Sequence, residues 1–335
     1  MNLDNKINLM KSFEFSGRWW FPNDSSKKYH GTLKKDSSGI ILKLEEYDLS
    51  NLQLFTKDRV LKTEDIILGH TDNGELITLQ DCHKIQYNRY FCSNDNDSDI
   101  KASVISEYII DYVFIGAKFN KKEDIKFKKV YVSFNYLDDW LNIFHIKQKQ
   151  PKLGVIKLEY HSPKIIPIKI DQDTNINIIY VVKEPESSGF QKEVKITQKA
   201  FLEFSFSSSK SLNECYKYIK TIQDFLTFAT QRSVQIDILY GPNDNCKLKV
   251  PNVDIFEDIS IVTHNPLVEP RKEVNPFDFL FYFKEIYPKR KKILPKWFDL
   301  YTKIEPQLQL YSIRFYNPKR YLNSHFLSFI QSIEG

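Results

Sequence analysis

Glycine is scarce in this chain, 10 among 335 residues, and no two lie within four positions of each other. Phosphate-cradling loops need clustered glycines, because only a residue without a Cβ lets the backbone come close to the phosphate. GxGxxG and GxxxxGK are therefore absent, which excludes nucleotide hydrolases and dinucleotide enzymes of those types. Long apolar runs are missing too. A membrane-spanning helix needs about 18 or more such residues, and the most apolar stretch, Tyr108 to Phe119, carries Asp111 and Lys118. The first ten residues hold Asp4 and Lys6 and no apolar block, so no secretory signal is expected. The four cysteines, Cys82, Cys92, Cys215 and Cys246, then read as free thiols of a reducing cytoplasm. No CxxC pair or GxSxG elbow occurs, and neither a metal nor a cofactor is implied. Asp95–Asp99 resembles a calcium loop but has Ile100 where the turn needs Gly and Ser106 where it needs Glu.

What is abundant is aromatic: 25 Phe, 19 Tyr and 4 Trp within a chain that is 41% hydrophobic. That is enough apolar mass for a sizeable core, and the length suits about two domains. The net charge of +5 is unevenly placed. Between Phe281 and His325, ten Lys and Arg face three acids, a local +7 that leaves −2 for everything else.

The expected fold is α+β, with a β-rich domain over residues 1–188, a sandwich or an open barrel. Short runs rich in Ile, Val, Tyr and Phe recur there between turn signals such as Asp72-Asn-Gly74. No helix alternates with strand before residue 200, so a parallel sheet is not expected. Leu137–Leu141 can begin a short helix. A polar stretch, Glu184–Gly189, marks the boundary to a second domain, 189–316, mixed and then helical. Ser211-Leu-Asn-Glu214 fits a capping box, followed by apolar residues at helical spacing. From Phe277 the pattern is helical, with breaks expected at Pro288, Pro295, Pro306 and Pro318. Residues 317–335 carry the stripe Leu322, Phe326, Phe329, Ile330, Ile333, which reads as the start of a further helical domain.

Several strings occur in an order that resembles a known family. They are Phe15-Ser-Gly-Arg-Trp-Trp-Phe-Pro22, Gly31-Thr-Leu33, Leu68-Gly-His-Thr-Asp-Asn-Gly74, Ile115-Gly-Ala-Lys-Phe119 and Val132–Leu141. Together they resemble the N-terminal region of ApeA-like bacterial anti-phage defence proteins, which precedes a HEPN ribonuclease domain. Tyr321–Glu334 is similar to the helix leading into that domain. The resemblance implies a sensing or regulatory region, itself non-catalytic, of an abortive-infection ribonuclease. Its implied partners are a HEPN domain in cis and a phage-derived trigger or RNA.

Three clusters could carry chemistry. Arg320 and His325 have the separation of a HEPN pair, and His with a cation suits metal-free RNA cleavage. Yet Tyr321 follows the Arg, and five residues of helix turn the two side chains about 140° apart. A surface Arg and a His beside the apolar stripe is the plainer reading, and RNA cleavage by this chain the alternative. Lys289, Arg290, Lys291, Lys292 and Lys296 lie among aromatics, a pattern that suits phosphates and unstacked bases. The competing reading makes those aromatics helix core and the cations its solvated face. Arg18, Trp19 and Trp20 form the third cluster. In a strand the two indoles face opposite sides, so one is core. The other is a platform for a carbohydrate, peptide or base, or is covered at a domain or homodimer interface.

Overall fold

The computed structural model describes residues 7–47, 63–92, 101–184, 194–250, 253–263, 274–275, 278–316 and 322–334. It is α+β and β-rich, with 50% strand and 28% helix. The chain divides into two compact units, one of residues 7–126 and 240–269, the other of 1–6, 127–239 and 270–335. The expected boundary after residue 188 and the Asp95–Asp99 loop lie outside the described residues. Among those residues no helix is long and apolar enough to cross a membrane.

The first unit is a ring of antiparallel strands. β1 (Phe13–Phe21), β2 (Asp24–Asp36), β3 (Gly39–Tyr47), β4 (Thr63–Thr71), β5 (Leu76–Cys92) and β6 (Lys101–Ile115) are ordered β6-β3-β2-β1-β4-β5. The long β5–β6 pairing, from Ile77 opposite Ile115 to Cys92 opposite Lys101, closes the ring. The expected open barrel is thus shut, and shutting it removes the sheet edges that would template aggregation. One interior row runs through Trp19, Gly69, Ile77 and Ile115, all buried.

Glycine makes room for the largest member of that row. Trp19 is wholly buried and its Nε1 donates to the Gly31 carbonyl at 3.0 Å. A Cβ on Gly69 would sit 2.2 Å from the indole, and one on Gly31 would be 3.1 Å from it and 2.3 Å from the Lys43 carbonyl. Gly17 faces Gly31 in the register, and a Cβ there would meet the His70 carbonyl at 2.2 Å. Two of the short strings, through Gly31 and Gly69, thus supply clearance around the tryptophan carried by a third. At one end of the barrel Lys35 is buried, and its ammonium donates to the Leu9 carbonyl at 2.5 Å. Burial without a carboxylate lowers its pKa from the usual lysine range.

The second unit is a layered structure. β7 (Lys126–Phe134) leads into the short α1 (Leu137–Leu141). A separate hairpin follows, β8 (Ile146–Lys152) with β9 (Val155–Tyr160). Then come β10 (Ile166–Lys169), β11 (Thr174–Lys183), β12 (Thr197–Ser211), α2 (Leu212–Thr230) and β13 (Ile236–Val250), of which residues 236–239 belong to this unit and 240–250 to the barrel unit. The sheet order here is β10-β11-β12-β7-β13. Ile176 and Ile178 pair with Phe204 and Leu202 on its buried face, which meets Ile222, Phe225 and Leu226 of α2. On the other face Asn177 and Ser205 both donate to Glu203, at 2.9 Å. β14 (Val253–Thr263), in the barrel unit, pairs with β6.

The capping box at the head of α2 is present: Ser211 accepts from the Glu214 amide, and Glu214 accepts from the Ser211 amide at 2.8 Å. α3 (Phe283–Ile286) and a 3-10 turn over Tyr287–Lys289, holding Pro288, lead into α4 (Arg290–Tyr316). The breaks expected at Pro295 and Pro306 do not occur, since α4 is continuous for 27 residues. Each proline removes one backbone bond, but buried Leu294, Tyr301 and Leu308 hold the helix in place along its length. Pro318 lies outside the described residues. α5 (Leu322–Glu334) follows, with the Phe329 ring 6.3 Å from Tyr311.

Candidate functional site

The Trp pair is split as strand geometry requires. Trp19 points into the barrel and Trp20 away from it, yet Trp20 is only 7% exposed. The Lys28 and Lys118 ammoniums stand 5.2 and 5.7 Å from its ring, and His70 lies 5.8 Å away. The segment after β6 is pinned alongside. The Thr78 hydroxyl donates to the Ala117 carbonyl and accepts from the Phe119 amide, both at 2.9 Å. Trp20 therefore offers no open face for a ligand, and the exposed member of the cluster is Arg18. In the register Arg18 lies between His30 and His70.

The basic segment falls on the 3-10 turn and the start of α4. Lys289, Lys291, Lys292 and Lys296 are exposed and make no ion pair within the described residues. Arg290 is half-buried. Its guanidinium stacks 4.0 Å from the Tyr287 ring and donates to the Tyr287 carbonyl at 2.7 Å. Lys289, Lys292 and Lys296 share one helical face at spacings of three and four.

Most aromatics of this segment are turned inward, onto α2. Trp297 Nε1 donates to the Thr221 carbonyl at 3.0 Å, and Tyr301 donates to Asp224 at 2.6 Å. Tyr311 donates to Gln231 at 2.7 Å, and Tyr316 to the Val234 carbonyl at 2.9 Å. Asp224 is 3% exposed and also accepts from Lys220 at 2.5 Å. Burial, followed by the hydrogen bond to Asp224, pushes the Tyr301 phenol far above its ordinary value. Of these rings Tyr301 is buried, Trp297 and Tyr311 are half-buried and Tyr316 is exposed, and the polar tip of each is held by α2 or by the residues just after it.

Beside the lysines lies an open recess of about 590 Å³, lined by Lys169, Asp171, Gln172, Asn175 and Lys291. A second recess of about 270 Å³ adjoins it through Ile170 and Asp171, and is lined by Lys217, Tyr218, Phe298 and Asp299. Tyr218 donates to Asp171 at 3.4 Å, and its ring is 5.9 Å from Phe298. Of the five basic residues singled out in the sequence, Lys291 alone is among the recess-lining residues. Lys169, Gln172 and Asn175 escaped sequence reasoning. The available signal was the polar turn Asp171–Thr174 between two apolar strands, but nothing local ties that turn to α4.

Arg320 and the side chain of His325 lie outside the described residues. Cys82 and Cys215 are buried free thiols. Desolvation drives the Cys82 thiol well above the usual range and pushes Cys215 up to about 12, so neither is a ready nucleophile. Among the described residues, no three His, Cys, Asp or Glu side chains come together as a metal site.

The strings that build the barrel and α1 all fall within one span. The family model for ApeA N-terminal domain 1 matches residues 14–297. The chain belongs to this family. Membership ties it to anti-phage defence. Lys289–Lys292 and Lys296 lie inside the matched ApeA span, whereas Tyr321–Glu334 lies beyond it. No curated protein and no solved structure matches the chain.

Proposed function

We propose that this chain is the sensing and regulatory region of an abortive-infection anti-phage protein. It is non-catalytic itself, acts on a HEPN ribonuclease domain in cis, and recognises RNA or a phage-derived trigger in the cytoplasm. One observation carries the RNA part. Four exposed lysines, with no ion pair among the described residues, mark the start of α4, where Lys291 borders an open recess together with Lys169 and Asp171. Such a surface follows a phosphate backbone and releases counterions on binding. Tyr218 and Phe298, on the adjoining recess, supply the aromatic component.

The test is RNA binding by the purified chain across a salt series. Changing Lys289, Lys291 and Lys292 to Glu should abolish binding to a single-stranded RNA. Lys291→Ala alone should lower the slope of log affinity against log salt by about 0.7, the loss of one phosphate contact. Unaltered binding and slope in the triple variant would sink the proposal. Cleavage of RNA by the purified chain, lost on His325→Ala, would instead favour the Arg320/His325 reading. The carbohydrate or peptide platform has less support, because Trp20 is covered by Lys28, Lys118 and His70.

A further inference from the structure

The β8–β9 hairpin stands apart from the rest of its unit as a two-stranded sheet of its own. Such a hairpin is marginal in water unless something covers an apolar face. Its register places Ile146 opposite Tyr160 and Gln148 opposite Leu158, so these share a face, with Ile156 two residues further along. Lys147, Lys149, Lys157 and Glu159 take the other face, where Lys149 pairs with Glu159 at 2.7 Å.

The apolar face is not buried. Ile156 is 64% exposed, Leu158 is 44%, and Leu153 at the tip is 95%. Phe144 and Ile165, which flank the hairpin, are 69% and 62% exposed. Other exposed aliphatic residues, such as Leu76, Val194 and Leu280, are spread along the chain, whereas Leu153, Ile156, Leu158 and Ile165 gather on and beside this one hairpin, which marks it as an interaction surface. Residues 144–165 also hold five lysines against one acid, Glu159, a local charge of +4.

Charge and side-chain type together select the partner. A second copy of the hairpin would bring +4 against +4, which disfavours self-association through this face. RNA is attracted by the lysines, but single-strand binding draws on aromatic stacking. The exposed apolar side chains here are mostly aliphatic. What fits is an extended protein segment that alternates acidic and aliphatic residues. Both strands of a two-stranded sheet have an outer edge, so such a segment can add as a third strand. Backbone hydrogen bonds then supply affinity, while Lys147, Lys149 and Lys157 read its acids.

We propose that the β8–β9 hairpin is a docking site for an acidic–aliphatic strand of a partner protein. This surface is independent of the lysines on α4 and does not rest on the RNA reading. The probe is a synthetic octapeptide, Asp-Val-Glu-Ile-Asp-Val-Glu-Ile, labelled at one end and titrated with the full chain. The expected result is saturable binding that weakens about tenfold or more between 0.1 and 0.5 M salt. Binding should protect backbone amides within residues 146–160 from hydrogen exchange. The double variant I156D/L158D should lose the peptide, and so should Lys147, Lys149 and Lys157 changed together to Glu. Because these side chains are exposed, the melting temperature of each variant should match that of the parent. No binding at millimolar peptide, or equal binding of a Lys-for-acid peptide, would overturn the proposal. So would loss of folding in I156D/L158D, which would place the face in the core. Anionic phosphatidylglycerol vesicles and a single-stranded RNA are titrated in parallel. Tight capture of either one by the hairpin, lost in I156D/L158D, would also overturn it.

Discussion

The two units solve the packing problem with different residues. Seven of the ten glycines (Gly17, Gly31, Gly39, Gly69, Gly74, Gly116 and Gly241) belong to the barrel unit. There a closed ring must accept one indole, and Gly31 and Gly69 supply the space. The layered unit ties its long helices together with hydrogen bonds, from Trp297 Nε1 to the Thr221 carbonyl, from the Tyr301 hydroxyl to the Asp224 carboxylate and from the Tyr311 hydroxyl to the Gln231 amide oxygen. Barrel specificity is thus steric, and the α2–α4 seam is specified by hydrogen bonds. A steric site fails abruptly when volume is added. A hydrogen-bonded site fails in proportion to the groups left unpaired.

The sharpest way to break this contrast is a double-mutant cycle in the barrel. Trp19→Ala should cost about 3–5 kcal/mol in denaturant unfolding, and Gly69→Ala roughly 1–3 kcal/mol by overpacking. The double variant should cost clearly less than the two combined, because removing the ring empties the space that the new methyl needs. Simple additivity would mean that Gly69 is not there for Trp19.

In the seam, Asp224→Ala should cost about 1–3 kcal/mol, the penalty of leaving a buried phenol unpaired. Tyr301→Phe tests the same contact from the other side and adds a pH signature. A phenol raised in the fold contributes stability that is present in full below its ordinary value of 10.0. That contribution is lost as pH rises from there through the raised value. Alkaline destabilisation measured by thermal melts should therefore shrink in Tyr301→Phe, on top of a loss of stability at neutral pH from the missing hydrogen bond to Asp224.

A smaller effect is expected at the helix cap. Ser211→Ala should lower stability by about 1 kcal/mol, since it removes the side-chain half of the capping box. Smallest of all, Cys82 and Cys215 should resist alkylation in the folded chain and react once it is unfolded, as read by mass spectrometry. Rapid labelling at pH 8 would show that burial does not hold these thiols protonated.

Local features were legible in the sequence where a short pattern decides them. The α1 segment Leu137–Leu141 and the Ser211–Glu214 box appear at the expected residues. Features that depend on distant partners were not legible. Nothing near Trp20 announces that Lys118 will fold over its ring. Ring closure rests on β5 meeting β6, and a propensity argument cannot separate that from an open sheet. The persistence of α4 through two prolines was hidden for the same reason, because packing along α2 decides it. At the candidate site, Lys291 could be singled out from a run of cations. Its recess neighbours Lys169 and Asn175 could not, since they arrive on a hairpin far away in the chain.

The Lys35–Leu9 contact has a practical consequence for handling the protein. Among the described residues, the one hydrogen-bond acceptor of this buried ammonium is the Leu9 carbonyl, in the segment before β1. Trimming to the first strand would remove that acceptor and Leu9, itself 2% exposed, together. The truncated barrel would hold a cation at its end with water as its sole recourse. An affinity tag is therefore better appended ahead of residue 7 than substituted for the residues before Phe13.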